Sequence, residues 1–281
     1  MSAASMAPET RRLEAWEAEL AEVRAMTERE MESLVTEDDT PVDNILSEKQ
    51  QRLLTEPLYS AWAGPDPKTP DHRRFLALAN VGLFYALRQP PLVPDVMLAL
   101  DIPGLGPDLS QKGNRSYFVW VQDGKQPAVL VEIVSNQEGG EDGDKLRKYE
   151  AIGVSYYVIF DPWRLLSDRV LRIHQFAGVS QGYIEQVGGL LDTVGLGLSL
   201  WQGQYEDMEA LWLRWTDREG RLIPTGAEAA EQERQRAEQE RQRAEQAVRA
   251  AEQERQRATE AERRVQRLAA RLRELGIEPD E

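Results

Sequence analysis

Apolar positions recur along this chain with three different rhythms, and each predicts a different kind of structure. In residues 9–36, which are charged and free of Gly and Pro, Leu13, Trp16, Leu20 and Val23 recur at three- and four-residue steps. That spacing predicts an amphipathic helix. The stripe covers only two heptads, so it suits either a helix packed on its own domain or a coiled-coil partner.

Residues 46–226 are mixed. SEKQQRLLTEPLYSAWA carries a helix signal with Ser47 as its cap, and HRRFLALANVGLFYAL extends it or begins another apolar element. Strand signals follow: VMLAL at 96–100, YFVWV at 117–121, AVLVEIV at 128–134, YYVIF at 156–160 and VLRIHQF at 170–176. They are rich in β-branched and aromatic residues and bounded by Gly, Pro, Asp or Asn. AVLVEIV is almost continuously apolar, as a strand buried on both faces should be. Between it and YYVIF, Leu146, Tyr149 and Ile152 recur at helical spacing, and Gly153 suits the position after a helix end. Strand, helix and strand over this length predict a βαβ crossover and at least one parallel pair. The tryptophans at 201, 212 and 215 are expected to fill core.

The third rhythm is a seven-residue repeat over 227–271. AEQERQR stands at 230–236, 237–243 and 251–257. With Ala230 at position a, the a column reads Ala237, Ala244, Ala251, Ala258, Val265 and Leu272. The d column reads Glu233, Glu240, Ala247, Glu254, Ala261, Leu268 and Leu275. This seam is apolar only near its end, so the expectation is a long solvated helix, a weak coiled coil at most, self-associating through 258–275. The organisation expected is therefore an acidic amphipathic helical segment at 1–45, an α/β domain at 46–226 and a heptad-repeat charged helix at 227–281.

Composition narrows the chemistry. Cysteine is absent, which removes disulfides and thiolate chemistry and fits a reducing compartment. His72 and His174 are the two histidines, too few for a multi-histidine zinc site. No G-x-S-x-G elbow accompanies them, so a Ser/His hydrolase has little support. No apolar run is long enough to cross a membrane, and the first twenty residues lack the pattern of a secretory signal, so a cytoplasmic protein with no membrane partner is expected. Net charge is −15, split as −8 over 1–45, −5 over 46–226 and −2 over 227–281. That balance gives no extended basic surface for nucleic acid, although the mildly acidic central region leaves room for a local basic groove.

Two acids stand out. Glu132 interrupts AVLVEIV, and a carboxylate buried in a strand needs a cation, donors or a strand end at water. Asp95 follows Pro94 directly before VMLAL, thirty-seven positions earlier, enough chain to bring neighbouring strands together. Lys145 and Lys148 lie on the helix that follows Glu132. Singly, each has an ordinary reading: Pro-Asp is a common turn pair, and helical lysines are mostly solvated. Together, two carboxylates, a neighbouring backbone carbonyl and a lysine make a hard-cation site. Such an ion polarises a phosphodiester and acidifies bound water, and a lysine stabilises the developing negative charge.

PLVPDVMLAL and PAVLVEIVSNQEGGEDGDKLRKYEAIGVSYYVIFDP resemble the restriction endonuclease family called Uma, a branch of the PD-(D/E)xK nuclease superfamily. The matching features are Pro94-Asp95, Val131-Glu132 with Ser135, Asp142, Lys145, Tyr149, Gly153-Val154 and Asp161-Pro162. The likeness runs over about 40–226 and is specific as a set. It implies a restriction-endonuclease-like mixed sheet flanked by helices, with the long charged helix appended. It also implies an endonuclease of magnesium (or manganese) dependence acting on DNA, with Asp95, Glu132 and the Ile133 carbonyl on the metal. A standard (D/E)xK would place lysine at 134, where this chain has Val134. The resemblance therefore assigns the lysine role to Lys145, with Lys148 in reserve, and adds Glu48 as a supplementary acid. Ser135-Asn136 replaces the usual Ser-Pro. The competing reading is a catalytically silent nuclease-like module that binds or assembles through its helical ends.

Overall fold

A computed structural model describes residues 8–33, 44–62, 64, 74–104, 106, 108, 110–136 and 140–274. The chain forms two compact units, Met1–Thr225 and Gly226–Glu281.

The first unit is mixed α/β. Helix α1 spans Pro8–Ser33 and α2 spans Ile45–Ser60. Strands β1 (Phe75–Ala79), β2 (Leu83–Phe84), β3 (Val96–Leu100), β4 (Tyr117–Phe118) and β5 (Val129–Ile133) follow. Helix α3 (Asp144–Ile152) leads into β6 (Tyr156–Phe160), β7 (Leu171–Phe176), β8 (Tyr183–Gln186) and β9 (Leu190–Leu191). The unit closes with β10 (Leu196–Tyr205) and β11 (Met208–Thr216). A six-stranded sheet in the order β1-β3-β5-β6-β7-β8 forms the centre, mixed because β5 and β6 are parallel while its other pairs are antiparallel. The predicted crossover is thus present as β5-α3-β6. Gly153 ends α3 in the left-handed region at φ 81°, a conformation glycine adopts without steric cost.

Alternation along the central strands sorts side chains onto two cores. Val129, Val131 and Ile133 join Leu54, Leu58, Val158, Leu213 and Trp215 on one face. Leu130 and Val134 join Met97, Tyr149, Tyr157 and Ile159 on the other, the α3 face. Both faces of β5 are buried, hence its nearly unbroken apolar sequence.

Several local expectations need correction. The YFVWV run yields only the two-residue β4, paired parallel with β2 outside the main sheet, and 119–124 turns back on itself. Of the two readings of HRRFLALANVGLFYAL, the second holds: it begins further apolar elements, β1 and β2, and does not extend α2. The cap of α2 is Asn44, whose side chain accepts from the Ser47 amide at 3.1 Å; Ser47 lies in the first turn and is buried. Trp212 and Trp215 are buried, but Trp201 is half-buried under the Arg214 guanidinium, 4.8 Å from its ring. On α1, Leu13, Trp16 and Val23 are exposed, and the helix meets the unit near its C-terminal end, where Glu30 pairs with Arg88 at 2.5 Å. The end of that predicted helix, 34–36, lies outside the described residues.

Helix α4, Gly226–Glu274, is the second unit. At 1.5 Å per residue its 49 residues extend about 73 Å. The side chains of 230–268 are exposed, and Glu231–Arg234 and Glu238–Arg241 pairs run along it. Leu275 and the side chain of Leu272 fall outside the described residues.

Helix α2 is fixed to β11 by a side chain acting as backbone. The Gln50 amide donates to the Leu213 carbonyl at 2.8 Å and accepts from the Leu213 N–H at 2.9 Å, all buried. Trp215 adds an indole hydrogen bond to the Leu54 carbonyl at 2.7 Å. Gln50→Leu leaves two buried backbone groups unpaired, each costing about 1–3 kcal/mol. Urea unfolding should show a lower midpoint with an unchanged slope.

Candidate functional site

Antiparallel pairing of Val96 with Val131 carries Asp95 and Glu132 to facing positions one step further on. Both point to the α3 face, because 95, 97 and 99 on one strand and 130, 132 and 134 on the other share its parity. Directly opposed Cβ atoms in such a pair lie about 4.5–5.5 Å apart. The Asp95 carboxylate accepts from the Ile133 N–H at 2.6 Å and, on its other oxygen, from the Gln51 amide at 3.4 Å. Gln51 is itself held by Asn80 at 3.1 Å. The contact Asp95 makes with Ile133 is therefore to its N–H.

Glu132 is 1% exposed. Two donors from α3 meet its two oxygens: Lys145 Nζ at 2.9 Å and the Tyr149 hydroxyl at 2.7 Å. Lys145 and Tyr149 stand one helical turn apart, so one face of α3 delivers both. Burial pushes the Glu132 carboxyl above the usual carboxylate range, against the pull of Lys145 and Tyr149. Burial works to lower the Lys145 ammonium, but Glu132, Glu141 and Asp95 outweigh it and hold the pKa above its usual value. Burial and then Glu132 hold the Tyr149 hydroxyl far above its usual range, so it remains a donor.

A third carboxylate belongs to this cluster and was missed in the sequence. Glu141, 6% exposed, approaches Lys145 Nζ at 3.3 Å, and its Oε2 is buried without a partner. Its position four residues before Lys145, the favourable order for a helical Glu–Lys pair, was the available signal. Asp142, the acid singled out by resemblance, lies in the turn before α3 and pairs instead with Arg172 at 3.6 Å. Two other candidates stay away from the cluster. Glu48 is exposed on α2 and bound to Arg52 at 2.7 Å; Gln51 is the α2 residue that reaches Asp95. Lys148 is exposed and lines a separate cavity with Tyr85, Gln126, Ala151 and Ile152. Asp161 is a structural acid: fully buried, it accepts from the Leu165 and Leu166 amides at 2.8 Å and fixes the turn after β6.

The donor set suits a hard divalent cation. Asp95 and Glu132 supply carboxylate oxygens, and magnesium is commonly held by one or two carboxylates with water completing its shell. Among the described residues no three His, Cys, Asp or Glu side chains form a ready-made metal cage. Water would therefore make up most of the coordination.

A mixed sheet with a strand-borne acid pair and a lysine from the crossover helix is the arrangement of a restriction-endonuclease-like protein. The chain belongs to the Uma2 family, described as "Putative restriction endonuclease", whose sequence model matches residues 39–182. The matched stretch holds α2, the strands through β7 and the whole acid–lysine cluster. That family is part of the restriction-endonuclease-like superfamily, which generally uses divalent metals. Neither a curated protein nor a solved structure matches the chain.

Tyr149→Phe tests how Glu132 is held. A carboxyl with a raised native pKa loses stability as pH rises from its ordinary value of about 4.3 to the native value. The unfolded chain releases its proton in that window while the native state retains it. Removing the Tyr149 donor extends the window upward, so the stability gap between Tyr149→Phe and wild type should widen between about pH 4 and neutrality, towards about 1–3 kcal/mol. A gap independent of pH would show that Tyr149 does not act on the ionised carboxylate.

Proposed function

We propose that this chain hydrolyses DNA phosphodiester bonds with a divalent cation, magnesium or manganese, at Asp95, Glu132 and Lys145. The observation that carries the reading is the convergence of two carboxylates from adjacent strands on a lysine of the connecting helix, inside the stretch that matches the Uma2 family.

Asp95 and Glu132 would hold the ion, with the Ile133 carbonyl as a further ligand. When bound, the ion supplies Lewis-acid polarisation of the phosphoryl group and a more acidic water. The residues do the rest. The Ile133 N–H orients Asp95 through one oxygen. Tyr149 orients Glu132 through Oε1, the oxygen that Lys145 does not meet. Lys145, 31% exposed, donates from Nζ to the attacking water or to the oxygen that gains charge as the new P–O bond forms and the leaving P–O bond breaks. Glu141 helps keep that ammonium charged.

Supercoiled plasmid, linear duplex and single-stranded DNA, incubated with magnesium or manganese, provide the test. Cleavage is expected on at least one form. Lys145→Ala should slow it by roughly 10²–10³, the range for loss of one donor to a developing charge. Asp95→Ala and Glu132→Ala should lose it altogether. Absence of cleavage on every form, or activity surviving both acid variants, would sink the reading.

A silent binding or assembly module is favoured by one observation: both Glu132 oxygens are already engaged by protein donors. Calorimetric titration with magnesium separates the two, since a live site gives heat that Glu132→Ala abolishes. Self-association would run through 258–275, a stretch in which Val265 and Leu268 of α4 are 66% and 57% exposed. Replacing both with glutamate should convert an associated chain to monomer in sedimentation.

A further inference from the structure

We infer that Arg172 is a second phosphate-binding group of this site, covered by Asp142 until a nucleic-acid backbone displaces it. The inference rests on the site acting on nucleic acid, and it deepens that reading by naming what holds the backbone beside the reacting bond.

The sheet register places Arg172. Glu132 pairs with Ile159, and Ile159 pairs with Arg172, so all three stand in one row and point to the α3 face. Two strand spacings put the backbone of Arg172 about 10 Å from that of Glu132. A charged residue in such a row needs acceptors, because a buried guanidinium without them is costly. Arg172 is 8% exposed, yet among the described residues its ion-pair partner is Asp142, at 3.6 Å from Nη1, too long for a good hydrogen bond. Nε and Nη2 are buried with no hydrogen-bond partner among the described residues. Those two nitrogens form the side-on fork of a guanidinium, the geometry that grips two oxygens of one phosphate.

The cover is one side chain on a turn whose backbone is held, by the Tyr157 hydroxyl on the Glu141 carbonyl at 2.8 Å and by the Gly143 and Lys145 amides on the Gly140 carbonyl at 3.1 and 3.2 Å, so displacement is a rotation of Asp142 itself. Asp142 is 43% exposed and sits between Gly140 and Gly143. Consecutive acids in this turn face the two cations of the surface: Glu141 faces Lys145 and Asp142 faces Arg172. Each carboxylate stands where a phosphate oxygen would suit the same cation. A small free anion is a poor occupant, because Asp95, Glu132 and Glu141 surround Lys145 with negative charge. A phosphodiester chain engages Lys145 and Arg172 together, with successive phosphates adding to the attraction.

Fluorescence anisotropy with a labelled 20-mer, single-stranded and duplex, reads binding without requiring cleavage; calcium or EDTA replaces the cleaving metal. Arg172→Gln should weaken binding about tenfold, the loss of one charge-assisted contact. It should also reduce the slope of log K against log salt by about one phosphate's worth. Asp142→Asn should tighten binding several-fold, and more than Asp144→Asn, which removes the same charge two residues away. The double variant Arg172→Gln/Asp142→Asn should bind as weakly as Arg172→Gln. Asp142 is exposed enough that its substitution leaves the fold intact, so the test survives even where Arg172→Gln fails to fold. The inference is overturned when Asp142→Asn matches wild type or Asp144→Asn, when Arg172→Gln keeps the full salt slope, or when wild type binds neither 20-mer. Binding that follows the expected pattern without any cleavage removes only the hydrolytic reading.

Discussion

A carboxylate at 1% exposure on the middle of a sheet is stable only if its oxygens find donors, and Glu132 finds both on one helix. This requirement shapes what surrounds it. Strand β5 must be followed by a helix that returns over the same face, and a parallel β5-α3-β6 crossover does that. Helix α3 must present a lysine and a tyrosine one turn apart, and Lys145 and Tyr149 have that spacing. The helix must also stop where β6 begins, and Gly153 in the left-handed conformation provides the stop. The apolar neighbours in the α3-face core exclude water from the Glu132 carboxylate and make its contacts both costly to break and strongly interacting. Removing one partner of a buried pair typically costs about 3–5 kcal/mol, and the 31% exposure of Lys145 sets this case at or below the lower end.

The same constraint explains what could be read in the sequence. Glu132 was visible because it breaks an otherwise unbroken apolar strand, and β6 was visible because YYVIF is bounded by Ser155 and Asp161. The crossover followed from helical spacing and Gly153. Other features depend on contacts that no local pattern encodes. YFVWV has strand composition, yet with only Leu83-Phe84 to pair with it gives two strand residues and a turn. Glu48 has the right residue type on the right helix, but the rotation of α2 sends it to Arg52 and gives Gln51 to Asp95. Glu141 and Asp142 are neighbours of identical charge; the direction of a glycine-flanked turn decides that the first reaches Lys145 and the second Arg172.

Charge is distributed so that the acidic total and the cluster on the α3 face do not conflict. Much of the excess acid lies in 1–45, and α4 matches glutamate to arginine along its length. Such i,i+3 pairs contribute only a few tenths of a kcal/mol each and are screened by salt. They can sustain a solvated helix, but they give it no fixed partner. The heptad columns turn from Ala and Glu to larger apolar residues only around Val265 and Leu268, the stretch proposed above for self-association.

On the α3 face of the first unit, Lys145 and Arg172 are each held by an acid. Lys145 sits between Glu132 and Glu141, and Arg172 sits against Asp142. A site of this kind is self-neutralised before it meets a substrate. With its cations paired to acids, its encounter with a polyanion would be slower than electrostatically steered association. On the proposed reading it would gain selectivity in return, because the cations would become available only to a ligand that replaces several carboxylate contacts at once. A polyanion with regularly spaced charges meets that condition, and a single small anion does not. Burial of Glu132 thus fixes more than one strand: by drawing Lys145 inward it also determines which ligands can compete for it.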